Sequence, residues 1–541
     1  MTVVAPAPSA ELTGRMSHRE VLEALSGLLL AMFVAMVSST IVSNALPRII
    51  TELHGTQSGY TWVVVATLLT MTASTPIWGK LADQFNKKLL VQTALTIFLV
   101  GSLIAGFAQS MGMLIFARAI QGLGVGGLSA LVQVVIAVMV TPRERGRYSG
   151  YIGAVFALAT VSGPLIGGFL VDAPGLGWRW CFWVGVPIAV VAFSVLQKTL
   201  HLPVVRRPVQ IDFLGATVLT AGVSLLLVWV SLAGNQFDWV STISAVLVAG
   251  GVLLLVAAVY VEMRVAAEPV IPMRLFRDRT TSLATLASVF VGIAMFGATV
   301  YLQQYFQLAR GMSPTKAGLM SVCMVGGLLI SSILSGRIIT RTGVWKRWLV
   351  GGMVLVVVGL VLLGQIDETT SLTLVGIYMF ILGVGLGATM QNLVLAVQNN
   401  TRAADMGAAS SVVSFFRSMG GSIGVSALGA VLSAQVAAKV SAGLERLAQT
   451  HPEYLRGLSH DSHAIPDLAS LPVPVRMVFE HAFGAASGHL FLIAAPFAFI
   501  ALVAVLFIRE VPLRTTMDDP GTPARTATPT TDGDADGRRE G

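Results

Sequence analysis

The sequence predicts an all-α polytopic membrane protein of fourteen transmembrane helices: two six-helix bundles and an inserted helix pair. Three observations carry this expectation. Of 541 residues, 55% are hydrophobic and only 11% charged, whereas a water-soluble domain needs about a quarter charged to coat its surface. The apolar residues come in runs of roughly twenty, the length that crosses about 30 Å of hydrocarbon. Two loops far apart in the chain also resemble each other, as an internal repeat requires.

Candidate spans lie near 19–46, 58–79, 88–107, 110–140, 147–171, 180–198 and 211–232, then 239–262, 282–308, 314–339, 347–364, 371–398, 405–436 and 485–509. Local signals fix several starts. Ser17-His18-Arg19-Glu20 reads as a capping box opening the first helix. Thr141-Pro142-Arg143-Glu144 sets a cap, a Pro at the first helical position and a Glu at the third before span 5. Ser313-Pro314 is expected to do the same before span 10. A polar lead precedes the first run and no cleavage site follows it, so that run is expected to stay as a helix. Cys181 and Cys323 both lie in apolar runs, which excludes a disulfide framework or a Cys-based metal site.

Lys and Arg in the loops set the orientation. With the N-terminus inside, the inner loops carry Lys80, Lys87 and Lys88; Arg143, Arg145 and Arg147; Arg206 and Arg207. Further along come Arg264, Arg274, Arg277 and Arg279, then Arg341, Lys346 and Arg347. The short outer loops hold Arg48, Arg179, Arg310 and Lys316. Both termini are therefore expected in the cytoplasm, and the net charge of +8 faces anionic membrane lipid rather than nucleic acid.

The division that follows is a cytoplasmic tail (1–18), an N-terminal bundle (19–200), the inserted pair (205–265), and a C-terminal bundle (280–510). The last contains a long extracytoplasmic segment, 437–484, and a tail at 511–541 is expected to be disordered. The repeat lies in Gly79-Lys80-Leu81-Ala82-Asp83-Gln84-Phe85-Asn86-Lys87-Lys88 and in Gly336-Arg337-Ile338-Ile339-Thr340-Arg341-Thr342-Gly343. Each has a Gly followed seven positions later by a residue suited to a left-handed turn, Asn86 or Gly343.

These loops, with Arg118-Ala119-Ile120-Gln121-Gly122 in span 4 and Gly153, Gly163-Pro164 and Gly167-Gly168 in span 5, resemble the major facilitator superfamily. Trp178-Arg179-Trp180-Cys181-Phe182 with Pro187, and Arg417-Ser418-Met419-Gly420-Gly421-Ser422-Ile423-Gly424, are similar to its fourteen-span branch of bacterial drug:proton antiporters. The resemblance runs from about residue 20 to 510. It implies that Gly79 permits close helix approach, and that Asp83, with Lys87 and Lys88 nearby, grips a helix N-terminus of the other bundle and gates the cycle. It implies a proton-coupling role for Arg118 and antiporter-motif packing at Gly153, Gly163, Pro164, Gly167 and Gly168. Physics allows each: a carboxylate at a helix N-terminus gains about 0.3–1 kcal/mol, and an Arg within a span costs about 2.5–3.5 kcal/mol unless it faces a partner or a cavity. A solvated loop carboxylate and an Arg satisfied by carbonyls are the bland alternatives.

One departure bears on the substrate. The branch often carries an Asp in span 1, where Val37-Ser38-Ser39-Thr40-Ile41-Val42-Ser43-Asn44-Ala45-Leu46-Pro47 has Ser38. No carboxylate stands at the centre of any span; Asp172, Asp212, Glu262 and Asp405 lie near ends. Asp83 and Asp212 become the proton-carrier candidates, and neutral, zwitterionic or lipid-like substrates gain over cations. Asn44, Gln133, Gln303, Gln304, Gln307, Gln391, Asn392 and Arg417 are candidate cavity residues, each with a reading as glue between helices beside it.

Other signals are set aside. Gly122-Leu123-Gly124-Val125-Gly126-Gly127 satisfies a dinucleotide string but lies inside a span, where close helix crossing is expected. His460-Asp461-Ser462-His463, with His451 nearby, is weakly metal-like. No Walker, nucleophile or paired metal motif appears, so no enzyme is expected, and no cofactor beyond a proton gradient as energy source. The leading expectation is a multidrug exporter in a bacterial inner membrane: monomeric, meeting lipophilic substrates, protons and membrane lipids but no nucleic acid. Export of lipid or of an endogenous metabolite is the alternative. A non-transporting sensor or scaffold is a third reading, against which the hinge-like motifs argue.

Overall fold

In a computed structural model, the described residues are 18–53, 57–173, 175–200, 212–233, 237–266, 269, 271–312, 314–402, 405–450 and 472–513. The helices of the first bundle are α1 (His18–Glu52), α2 (Gln57–Gln84), α3 (Lys87–Gly106), α4 (Met111–Met139), α5 (Pro142–Asp172), α6 (Trp180–Trp183) and α7 (Gly185–Thr199). Then come α8 (Phe213–Leu232) and α9 (Thr242–Arg264). The second bundle has α10 (Arg279–Gln304), continued by a π turn at Tyr305–Ala309, α11 (Pro314–Thr342), α12 (Lys346–Leu363), α13 (Leu372–Asn400), α14 (Met406–Thr450) and α15 (Val473–Leu506). Among the described residues the only β pairing is a single bridge, Ala233 to Phe237.

Among the described residues every candidate span falls on helix, and eleven helices are long and apolar enough to cross a membrane. The apolar stretch of α8, Leu214–Val230, is shorter. Large apolar side chains stand exposed around the outside, among them Leu253, Phe169, Tyr260 and Val246. Such a girdle would drive aggregation in water and needs hydrocarbon as its solvent. Inside, the first bundle has two apolar cores stacked along α1. One contains Leu25, Leu131 and Leu196; the other contains Ile41, Trp178 and Phe182. The second bundle has a single core around Tyr305, Trp345, Leu386 and Phe491.

The helix ends are set by short polar side chains. Asn86, Ser110, Asp212, Ser241, Asp278 and Ser371 each accept a hydrogen bond from an amide in the first turn that follows. Three local expectations need correction. Asn86 is not left-handed: at φ −62°, ψ 114° it is extended, because its carboxamide caps α3 by accepting from Lys88 N at 2.9 Å. Only Gly343, φ 74°, makes the left-handed turn. Thr141 caps α5 by position, but its hydroxyl donates to Glu144 Oε2 at 3.1 Å instead of accepting from an amide. The segment 437–484 is also shorter as a connection than expected, since α14 runs on to Thr450 and α15 already begins at Val473. Ser17, Ser313, the histidines at 451, 460 and 463, and the tail from 514 lie outside the described residues.

Within bundles α2 and α3 pack on α4, and α10 packs on α14. The glycine string of α4 explains the first crossing. A methyl on Gly126 would meet Met71 O and Ser74 Oγ at 2.5 Å, and one on Gly124 would meet Ala94 O and Phe98 N at 2.6 Å. The two faces of α4 are stripped so that α2 and α3 can both reach its backbone. Between bundles two seams form, α2 against α14 and α11 against α5. The inserted pair packs α8 on α9, and α8 also touches α2 and α14, so it covers the first seam from outside.

Candidate functional site

The end of the molecule that carries Gly79–Lys88, the start of α14 and the end of α11 is where the bundles are tied. The Asp83 carboxylate accepts from Gly407 N at 2.7 Å through Oδ1 and from Ala408 N at 2.9 Å through Oδ2. Those amides belong to the first turn of α14, whose unpaired N–H groups and positive dipole end suit a carboxylate. The contact that the resemblance implied for Asp83 is thus present, bidentate, and across the two bundles. Gly79 makes it possible: a methyl there would overlap Ser411 and lie 2.8 Å from Gly407 O. Lys88 turns the other way, donating to Gln197 O at 2.7 Å inside its own bundle. Lys87 opens α3 and has electrostatic company of its own.

A second tie lies deeper. Gln133 on α4 donates through Nε2 to Gln391 Oε1 on α13 at 3.0 Å. The two candidates thus meet each other across the bundles. At the other seam, a methyl on Gly153 of α5 would meet Ser332 Oγ of α11 at 2.8 Å and its Cβ at 3.0 Å. Gly163 and Gly167 instead serve α1 within the first bundle, facing Thr40 and Ile41. Pro164 and Gly168 lie within α5 and Asn44 within α1, but their surroundings are outside what the structure describes.

Arg118 is buried in α4 with neutral partners. Its Nη1 donates to Gln121 Oε1 at 3.0 Å and its Nε to Val63 O at 3.5 Å; Gln121 in turn donates to Ser102 Oγ at 2.8 Å. This relay ties α4 to α2 and α3 inside one bundle. Asp212 is engaged as the cap of α8, accepting from Gly215 N at 2.8 Å. Gln303 joins α10 to α11 through Ser321 Oγ at 2.6 Å, and Asn392 donates to Ala388 O of its own helix at 2.7 Å. Gln303 therefore bridges two helices, whereas the Asn392 bond stays within α13. Gln307 sits in the π turn, half-buried. Arg417 is half-buried in α14, and its Nη1 is enclosed without a hydrogen-bond partner.

The opposite face has its own fastenings. Trp178 Nε1 donates to Glu52 Oε2 at 2.8 Å, with the Arg179 guanidinium 4.4 Å above the Trp178 ring. In the second bundle Arg310 donates to Glu368 O at 2.6 Å and Thr370 O at 2.7 Å, and His481 meets Glu368 Oε1 at 2.6 Å. The loop they grip is shaped by Asp367, whose carboxyl is held down at about 2 by the Thr369 and Thr370 hydroxyls and amides. Among the described residues no group of three or more His, Cys, Asp or Glu could hold a metal. A small apolar cleft in the first bundle is lined by Phe33, Val37, Ser38, Ile166, Cys181 and Ile188.

The partners of Asp83 and Gly79 were not singled out in sequence. Met406-Gly407-Ala408-Ala409-Ser410-Ser411 is a run of small residues opening a helix, and that signal marks a close crossing.

Comparison with known proteins agrees with this arrangement. The Major Facilitator Superfamily profile matches residues 28–425. An uncharacterized MFS-type transporter of Mycobacterium tuberculosis, Rv1877, is 35% identical over 499 residues, covering 91% of this chain and 70% of its own length. The multidrug transporter protein MdtP of Bacillus subtilis is 34% identical over 422 residues, 78% of this chain and 77% of that protein. The efflux pump dotC of the fungus Dothistroma septosporum is 33% identical over 498 residues, 91% and 84% respectively. Among solved structures, the proton:xylose symporter XylE superposes with a TM-score of 0.58 at 13% identity, over 90% of this chain and 96% of that one.

Proposed function

The chain belongs to the major facilitator superfamily, a family of transporters and not of enzymes, and from that premise we propose a secondary active exporter of small lipophilic compounds. In this reading fourteen helices cross a bacterial inner membrane with both termini in the cytoplasm, so the end tied by Asp83 is the cytoplasmic one. The bundles rock about a passage between them, and a proton gradient drives export by antiport. The observation that carries it is the Asp83 carboxylate on the first turn of α14. That bond has to break when the cytoplasmic end opens, so it is a contact of one state only, which is what an alternating cycle needs. The names of the relatives in Bacillus and Dothistroma, a multidrug transporter and an efflux pump, support drug-like lipophiles as the cargo.

Ser38 gives weight to a second cargo, lipid or endogenous metabolite. Its hydroxyl is buried and unpartnered in α1, in the place where a cation-selective site would hold a carboxylate. The proton carrier in this reading is Asp83, whose bonds to α14 must be released each time the cytoplasmic end opens, whereas Asp212 caps α8 within the inserted pair.

The test is direct. Purified protein in liposomes with an imposed pH gradient should move a lipophilic dye against its gradient, and collapsing the gradient with an ionophore should stop it. Dye movement that ignores the pH gradient would remove proton coupling from the proposal. No movement of dye, lipid or acid under any gradient would remove export itself.

A further inference from the structure

Arg417 lies eleven positions into α14, about 17 Å along the helix from its tied end, near mid-depth for a 30 Å core. Its backbone is pinned there, because Gly292 of α10 is pressed against the Arg417 carbonyl and the Gly421 amide. The side chain is therefore a fixed cation deep in the apolar part of the protein. Arg118, the other deep guanidinium, is satisfied by Gln121 and a carbonyl. Arg417 is not: its Nη1 is enclosed and without a hydrogen-bond partner. No carboxylate stands at the centre of any span to neutralise it.

Two more unpartnered donors lie on the facing sides of α14 and α10. Ser414, one turn nearer the tied end on the same side of α14, is buried with a hydroxyl that has no partner. Thr285 of α10 is likewise buried and unpartnered, seven residues before Gly292 and so on the same side of that helix. Lone hydroxyls at Ser38, Thr72 and Ser331 are also unpartnered, but a neutral hydroxyl is cheap to bury beside an uncompensated guanidinium. A guanidinium with an open N–H, on facing helix sides that also carry two unpartnered hydroxyls, asks for an acceptor that carries negative charge.

We propose that Arg417, with Ser414 and Thr285, forms an anion subsite that takes the carboxylate or phosphate head of an amphiphile, its alkyl or aryl body lying along the apolar helices. This rests on the export reading and narrows its cargo to acidic lipophiles. Two sources offer that chemistry, a transported acid and the head of an anionic membrane lipid.

The experiment is equilibrium binding of radiolabelled dodecanoate and dodecanol to the full-length protein in phosphatidylcholine nanodiscs, with empty nanodiscs subtracted. No gradient is applied, so a failure of export leaves this result standing and the reverse also holds. Wild type should bind dodecanoate about tenfold or more tighter than dodecanol. Arg417→Gln should erase that preference, Arg417→Lys should keep part of it, and Ser414→Ala should lower it severalfold. Repeating the titration with phosphatidylglycerol in the disc assigns the source. Competition by the lipid identifies a bound headgroup, and its absence identifies the soluble acid. Equal binding of the two probes by wild type overturns the subsite. So does a preference that survives in Arg417→Gln, or one lost equally in Arg417→Lys while both variants elute as intact monodisperse protein.

Discussion

Along one seam α2 meets α14, and along the other α11 meets α5; the internal repeat maps the first onto the second. Gly79 then corresponds to Gly336, and Asp83, four residues on, corresponds to Thr340. In the first seam the carboxylate reaches across to two amides of the partner bundle. In the second, the Thr340 hydroxyl donates to Gly336 O of its own helix at 2.8 Å. In the first seam a carboxylate makes two directed bonds to a helix start; in the second, Gly153 packs closely on Ser332. The difference teaches that the repeat is not exact in chemistry: Thr340 has no carboxylate, so the two-oxygen grip on a facing helix start belongs to the Asp83 side. Packing alone is non-directional and changes gradually. A bidentate bond to a helix terminus is made or lost as a unit, and suits an end that must open fully.

The comparison breaks first at Asp83. Asp83→Asn keeps one acceptor but loses the charge, removing about 1–3 kcal/mol from the closed end. In liposomes the substrate flux should fall by about tenfold or more, and cysteines placed across the α2–α14 seam should crosslink more slowly. Unchanged flux and crosslinking would mean that both seams are equivalent. Next in size is a methyl on the hinge glycines. Gly79→Ala forces α2 from Ser411 and Gly407, whereas Gly153→Ala meets the Ser332 Oγ, which can rotate away, and its Cβ at 3.0 Å, a milder overlap. The first should cost about 1–3 kcal/mol in thermal unfolding and the second clearly less; the opposite ranking would reverse the assignment of the tighter seam.

A smaller effect is expected from the amide pair. A double-mutant cycle of Gln133→Ala and Gln391→Ala should give a coupling of about 0.6 kcal/mol, and zero coupling would remove it as a tie between bundles. Thr340→Ala should alter flux less than any of these. The smallest effect belongs to the opposite face, where Asp367 titrates at about 2 instead of 3.8. A carboxyl depressed on folding stabilises its loop above the unfolded value and loses that contribution as pH falls through the folded value. Amide exchange at Thr369 and Thr370, corrected for intrinsic rates, should therefore stay flat above about pH 4 and quicken as pH falls from there to about 2.

Much of this was legible in the chain itself. The spans were readable because hydrocarbon imposes a length on every helix, and the reach of Asp83 to a helix start was implied by the resemblance that its loop carries. What escaped has physical reasons. Asn86 suits both a left-handed turn and a cap, and the free amide of Lys88 decided between them. The far ends of α14 and α15 escaped because helix outside a membrane loses the apolar run that marks it, as in Lys439 to Thr450 with its charged and polar residues. The candidate amides could not be sorted from sequence, since Gln303 bonding Ser321 and Gln133 bonding Gln391 look alike until their neighbours are placed.

The 45 residues of α14 give a rod of about 67 Å, gripped near one end by Asp83 and running past the far side of a bilayer. Such a rod is a lever arm: a tilt of about 10° about the gripped end would sweep Thr450 through roughly 12 Å. A fluorophore at that tip would magnify rearrangements of a few ångströms at Gly407 into a displacement that single-molecule energy transfer resolves.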